Sequence, residues 1–249
     1  MKTIITLFFL TTQLFASGEY KKGDVLYVWK NATINLRVAP NSNCEVITYL
    51  SFANKLIVID TDLKKFPFSV QEIAPIKQDE QSNESYNFKG FKIKGFWVKV
   101  KTESGEIGYV FDGYLSKIKP DFELTEASFN KNFKELKSKK RKFNDALSDS
   151  RYENKYFYKN GSYIIELGSN YDSHSHYFTP NISLEEGYWL LLKTRPDILE
   201  LHKSSGDTIT SFSYNGKQLS FTTSLEAISI TKITYKGIKG IEILFEAWD

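Results

Sequence analysis

The chain has 249 residues, 41% of them apolar and 25% charged, with a formal charge of +3. That balance is typical of a globular protein whose apolar surface offsets the entropy of ordering, and it excludes a disordered or fibrous chain. So small a net charge does not by itself point to a polyanionic partner, no nucleic acid is expected, and the length favours two modest domains.

The first residues read as an export signal. Lys2 supplies a positive start, Ile4 to Leu10 an apolar run too short to span a bilayer, and Leu14-Phe15-Ala16-Ser17-Gly18 a small-residue exit. Residues 1–18 are expected to be removed, leaving a periplasmic or secreted protein with no transmembrane segment and a mature start near Ser17 to Glu19. The single cysteine, Cys44, is too far along the chain to carry a lipoprotein anchor and has no partner for an intramolecular disulfide. It reads as a small apolar side chain rather than a reactive thiol.

Residues 19–119 read as β. Val25 to Trp29 is a continuous apolar run, Ile34, Leu36 and Val38 alternate with Asn35 and Arg37, and Val46 to Leu50 and Leu56 to Ile59 follow. Phe96, Val98 and Val100 alternate with Trp97, Lys99 and Lys101, which puts the first set on a core face with Leu36 and the second set outward. A short strand from Glu106 to Val110 comes next.

Two stretches here carry a family likeness. Ile34-Asn35-Leu36-Arg37-Val38-Ala39-Pro40 resembles the opening of bacterial SH3 (SH3b) domains, and Gly95-Phe96-Trp97-Val98-Lys99-Val100 with Gly108-Tyr109-Val110 and Tyr114-Leu115 resembles their closing half. The resemblance covers about Asp24 to Ile118 and implies a small β-barrel that docks a cell-wall peptide in grooves between its loops. Two features depart from the pattern. Ala53-Asn54-Lys55 stands where Lys-Gly is usual, with Asn54 suited to the positive φ of the turn. A long insertion, 60–94, replaces a short loop and is expected to be either functional or disordered.

Residues 120–150 form a basic linker. Phe129, Phe133, Leu136, Phe143 and Leu147 fall at helical spacing among Lys131, Lys134, Lys137, Lys139, Lys140, Arg141 and Lys142, so a helix is expected, either solvated or facing an anionic surface. Residues 151–249 return to β. Asn160-Gly161 and Asn215-Gly216 mark two hairpins of the two-residue type I′ kind, and Tyr188 to Lys193, Ile198 to His202, Ala227 to Thr234 and Ile241 to Trp248 add strands. The expected architecture is thus mainly β: an SH3b-like small barrel with a long insertion, a linking helix, and a C-terminal antiparallel β-sandwich or barrel.

Catalytic signatures are weak. Cys44 lies inside the barrel-like segment, and all three histidines lie beyond residue 170, which disfavours a Cys-His peptidase. Asp172, His174 and His176 alternate and, with His202, form the best metal candidate for a zinc-dependent wall hydrolase. Aromatics are more informative, at 15% of the chain. Trp97 beside Lys99, with Tyr109 and Tyr114, can stack on a sugar or peptide unless the neighbouring insertion covers it.

The leading expectation is a non-catalytic exported protein without a cofactor, its SH3b-like domain recognising a peptide or peptidoglycan-derived envelope ligand. The alternatives are a protein-interaction or structural module acting through the C-terminal β-domain, with an envelope protein as partner, and a metal-dependent cell-wall hydrolase. A concave aromatic cleft between the barrel and its insertion favours the first.

Overall fold

The computed structural model describes residues 20–60, 66–77, 87–144, 150–199 and 211–248. The expected export signal, the polar tract at 78–84 and His202 lie outside them. The protein is mainly β, and its two large sheets are antiparallel.

The first half supplies β1 (Val25–Val28), β2 (Ile34–Arg37), β3 (Val46–Leu50), β4 (Lys55–Asp60), β5 (Pro67–Ile73), β6 (Ile76–Lys77), β7 (Asn87–Phe88), β8 (Phe91–Thr102), β9 (Ile107–Phe111) and β10 (Leu115–Ser116). Eight of these form one sheet in the order β10-β1-β4-β8-β9-β2-β3, with β5 paired to β8 off that path, and β6 pairs with β7. The path ends at β10 and β3, yet Leu115 of β10 and Leu50 of β3 share one core cluster with Leu36, Leu56 and Val110. A sheet whose two ends contribute to one core must wrap round it.

Much of the expected insertion is ordered strand. β5 runs along the first half of β8 through pairs from Pro67↔Phe96 to Ile73↔Phe91, while β4 takes the second half through Asp60↔Lys99 to Leu56↔Thr102. β8 therefore serves two cores. Phe91, Ile93 and Trp97 on its odd face enter a large cluster, and Val98 and Val100 on its even face join Leu36 in the small one. Phe96, expected in one core with Leu36, is buried as expected, but among the described residues it groups with neither cluster.

The second half contains α1 (Glu126–Asn132), β11 (Glu135–Asn144), β12 (Ser150–Tyr158), β13 (Tyr163–Gly168), β14 (Asp172–Pro180), α2 (Leu184–Thr194), β15 (Ser211–Tyr214), β16 (Gln218–Thr222), β17 (Glu226–Tyr235) and β18 (Ile238–Trp248). Its eight strands make one sheet in the order β11-β12-β13-β14-β18-β17-β16-β15.

Three local expectations are corrected. The linker helix stops at Asn132, because Phe122, Phe129 and Phe133 close on one another and on Tyr158, and the chain then turns extended at Phe133. The basic stretch beyond it pairs with β12 over nine positions as the edge strand β11, leaving Leu136 exposed. Ladder hydrogen bonds override the helical periodicity there. Tyr188 to Lys193 is helix rather than strand, since Ser183 and Glu186 form a reciprocal capping box ahead of it. The segment from Ile198 begins as a 3-10 turn, Pro196–Leu199.

Both Asn-Gly hairpins form, with a different turn. Gly161 and Gly216 have positive φ but Asn160 and Asn215 do not, because each Asn Oδ1 accepts a backbone N–H two residues on, from Ser162 and Lys217. Positive φ at two consecutive residues occurs instead at Lys236-Gly237, between β17 and β18. At the other predicted turn it is Ala53, not Asn54, that takes positive φ, while the Asn54 side chain accepts the Ser51 N–H.

The large core joins the halves. Trp29, Phe88, Phe91, Trp97 and Phe111 of the first half cluster with Tyr188, Trp189, Phe212, Ile230 and Ile243 of the second. α2 sits at the junction. Its Gly187 lies so close to β17 and β18 that a Cβ would come within 3.0 Å of Ile230 and Ile241, while Tyr188 packs on Phe91 at 5.1 Å and the Trp189 indole N–H donates to the Gly113 carbonyl at 2.7 Å. A shared core predicts a single unfolding transition. Tyr188→Ala should lower stability by about 3–5 kcal/mol, the cost of deleting a buried aromatic ring, and denaturation followed by tryptophan fluorescence and by far-UV circular dichroism should coincide in both proteins. Two separated transitions in the parent protein would contradict the shared core.

Candidate functional site

An aromatic cleft of about 280 Å³ opens between the first sheet and the inserted strand β5. Its walls include Phe68 and Val70 from β5, Trp97 from β8, Phe111 and Tyr114 at the end of β9, and Asn35 and Arg37 from β2. The period of two in β2 places Asn35 and Arg37 opposite the inward Leu36, so the strand that anchors the small core also presents polar groups to the cleft.

The predicted site residues separate into two pairs. Trp97 and Tyr114 both line the cleft, whereas Lys99 and Tyr109 do not. Trp97 is covered rather than exposed: the ring of Phe68 lies 5.1 Å from it and Phe111 6.5 Å away, leaving it 6% accessible. Its indole supplies an edge and floor, not a stacking platform. Lys99 Nζ stands 5.7 Å from the Tyr109 ring, which meets Phe66 edge-on, so this pair holds the start of the insertion against the sheet. Tyr114 carries Lys30 Nζ 4.3 Å over its ring, and Lys30 is ion-paired to Glu72 at 2.6 Å. Burial, reinforced by the Glu72 charge, pushes the Tyr114 hydroxyl above its ordinary range and keeps it a neutral donor.

Arg37 was not singled out from the sequence, although it belongs to the motif that carries the family likeness. Its Nη1 donates to the Cys44 carbonyl at 2.5 Å, which fixes the guanidinium at the cleft wall. It has no carboxylate partner among the described residues. Cys44 itself is half-buried, with its thiol directed at the carbonyls of Ala39 and Asn41.

Behind the cleft, the turn after β9 holds a buried acid. Asp112 is 2% accessible, with Oδ1 accepting the Phe96 N–H at 2.6 Å and Oδ2 unpartnered. Gly95 makes room for it, since a Cβ there would lie 2.1 Å from Oδ1. Desolvation, with smaller contributions from the Glu185 and Glu186 charges, pushes the Asp112 carboxyl up to about 7. Glu185 and Glu186 are raised too, chiefly by burial.

Asp172, His174 and His176 lie on strand β14. His174 Nδ1 faces Glu246 at 3.2 Å and His176 Nδ1 faces Glu242 at 3.3 Å across the pair with β18. Hydrogen bonds from His176 and Tyr163 hold the Glu242 carboxyl below its usual value. Among the described residues no group of three or more His, Cys, Asp and Glu side chains converges closely enough to hold a metal ion. The row is therefore a set of cross-strand acid–imidazole pairs. No helix among the described residues is long and apolar enough to cross a membrane.

The chain matches no protein-family model, no curated protein and no solved structure.

The buried acid sets a pH dependence with a definite sign. Between the ordinary carboxylate value near 4 and about 7, folded Asp112 keeps a proton that the unfolded chain has lost, so stability falls as pH rises through that window. At about 1.4 kcal/mol per unit the loss is on the order of 2–4 kcal/mol. Asp112→Asn keeps the acceptor for Phe96 and should flatten that part of the urea-midpoint profile, gaining most above pH 7. An unchanged slope in the variant would refute the assignment.

Proposed function

We propose that this protein is a non-catalytic, exported binding protein of the cell envelope that holds a peptide or peptidoglycan-derived segment in the cleft between the first sheet and β5. The observation that carries this reading is the cleft itself, which combines four aromatic rings, Phe68, Trp97, Phe111 and Tyr114, with the amide of Asn35 and the Arg37 guanidinium. Apolar walls with a few placed polar groups are the usual make-up of a ligand site. A volume of about 280 Å³ accommodates one or two residues of a peptide rather than a folded domain. Arg37 offers a forked donor suited to a carboxylate, the group that ends a wall peptide or flanks its branch points.

Two sequence features support the same reading: the signal-like N-terminus and the likeness of Asp24 to Ile118 to SH3b domains. β5 belongs to the insertion, so the wall that completes the cleft is an addition to the pattern those domains share.

The test is co-sedimentation of the full chain with purified sacculi stripped of phosphate-containing polymers. The protein should pellet with them, and Arg37→Gln and Phe68→Ala should each reduce the bound fraction about five- to thirty-fold, as expected for anchors worth 1–2 kcal/mol. A melting temperature close to the parent's confirms that the variants stay folded. A parent protein that remains in the supernatant would sink the proposal.

A further inference from the structure

A second cavity lies on the seam between the halves and differs in character. It is an open hollow of about 1350 Å³ between the exit of β10, helix α1 and the β17–β18 end of the second sheet. Six lysines among the described residues line it: Lys117 and Lys119 after β10, Lys131 in α1, Lys217 before β16, Lys232 on β17 and Lys239 on β18. The sequence scatters them over more than a hundred positions, and the fold gathers them.

Their positive charge is only partly neutralised. Lys117 pairs with Asp24 at 2.8 Å and Lys131 with Asp121 at 2.6 Å. Lys232 lies in the field of Glu185, and Lys119 in that of Asp121. Lys119, Lys217, Lys232 and Lys239 make no ion pair among the described residues. The one acid in the lining among the described residues, Glu186, is occupied by the Ser116 hydroxyl at 2.6 Å and the Ser183 N–H at 2.8 Å. The same wall carries Phe122, Phe133 and Ile182, an apolar floor beneath the ammonium groups.

We propose that this seam cavity binds an extended ligand bearing several phosphate groups. Lysine ammoniums act as mobile point charges toward phosphate. Cations spread over so large a cavity match a ligand with several anionic centres better than a single small anion. The overall charge of +3 hides this cluster, because it sums these lysines with the 30 acidic residues of the whole chain. The proposal is independent of peptide binding in the aromatic cleft, and neither result decides the other.

Calorimetric titration of the full chain with tripolyphosphate at low salt is the direct test. Saturable binding is expected, weakening as salt rises. The double variant K217Q/K239Q should bind at least about tenfold more weakly, given the worth of charge-assisted contacts. The double variant K137Q/K142Q, on the edge strand β11, should keep the parent's affinity. Vesicles containing phosphatidylglycerol, compared with neutral vesicles, separate a lipid surface from a soluble phosphate chain as the source. Absence of tripolyphosphate binding, equal loss in the two double variants, or binding to anionic vesicles without binding to tripolyphosphate would each overturn the proposal.

Discussion

The fold depends on the burial of α2 on all sides, between both sheets at once. Tyr188 lies fully buried beside Phe91, Trp189 donates to Gly113, and Gly187 brings the helix backbone onto β17 and β18. Without that helix the odd face of β8, with Phe91, Ile93 and Trp97, would meet water over an area too large for a small sheet to leave open. The smaller core round Leu36 closes within the first half, but the larger one exists only in the assembled chain.

The same junction explains the buried carboxyls. Glu186 completes the cap of α2 and accepts from Ser116 of the first sheet, so one side chain both starts the helix and ties it to the other half. Asp112 fixes the Phe96 backbone at the point where β8 changes the core it serves. Such groups cost desolvation energy and gain geometric definition, a trade in which a specific arrangement is favoured over raw stability.

The sequence made the strands of the first half legible because their apolar residues alternate. From Ile34 to Arg37 and from Val98 to Lys101 the period of two predicts the observed faces, whereas Trp97, expected outward, is buried in the second core. It did not reveal the role of Phe68, since a strand of an insertion finds its partner through tertiary pairing with β8 rather than through local pattern. Tyr188 to Leu192 is an apolar run that periodicity alone leaves ambiguous, and the deciding signal was the Ser183-x-x-Glu186 cap just before it. The lysine-rich stretch misled in the opposite way: its aromatic spacing suits a helix, but β12 offers it a ladder. The seam lysines carry no local signature at all.

The edge strand β11 has a consequence for how the molecule behaves in company. One margin of the long sheet, β15, lies against the hairpin β6–β7, with Phe88 and Phe212 in ring contact. The other margin, β11, has no strand beyond it among the described residues and carries Lys137, Lys139, Lys140, Arg141 and Lys142. Two copies meeting margin to margin would bring these rows within the roughly 8 Å over which charges still repel at physiological ionic strength. Like charge along an edge strand disfavours margin-to-margin pairing, and concentrated salt screens that repulsion.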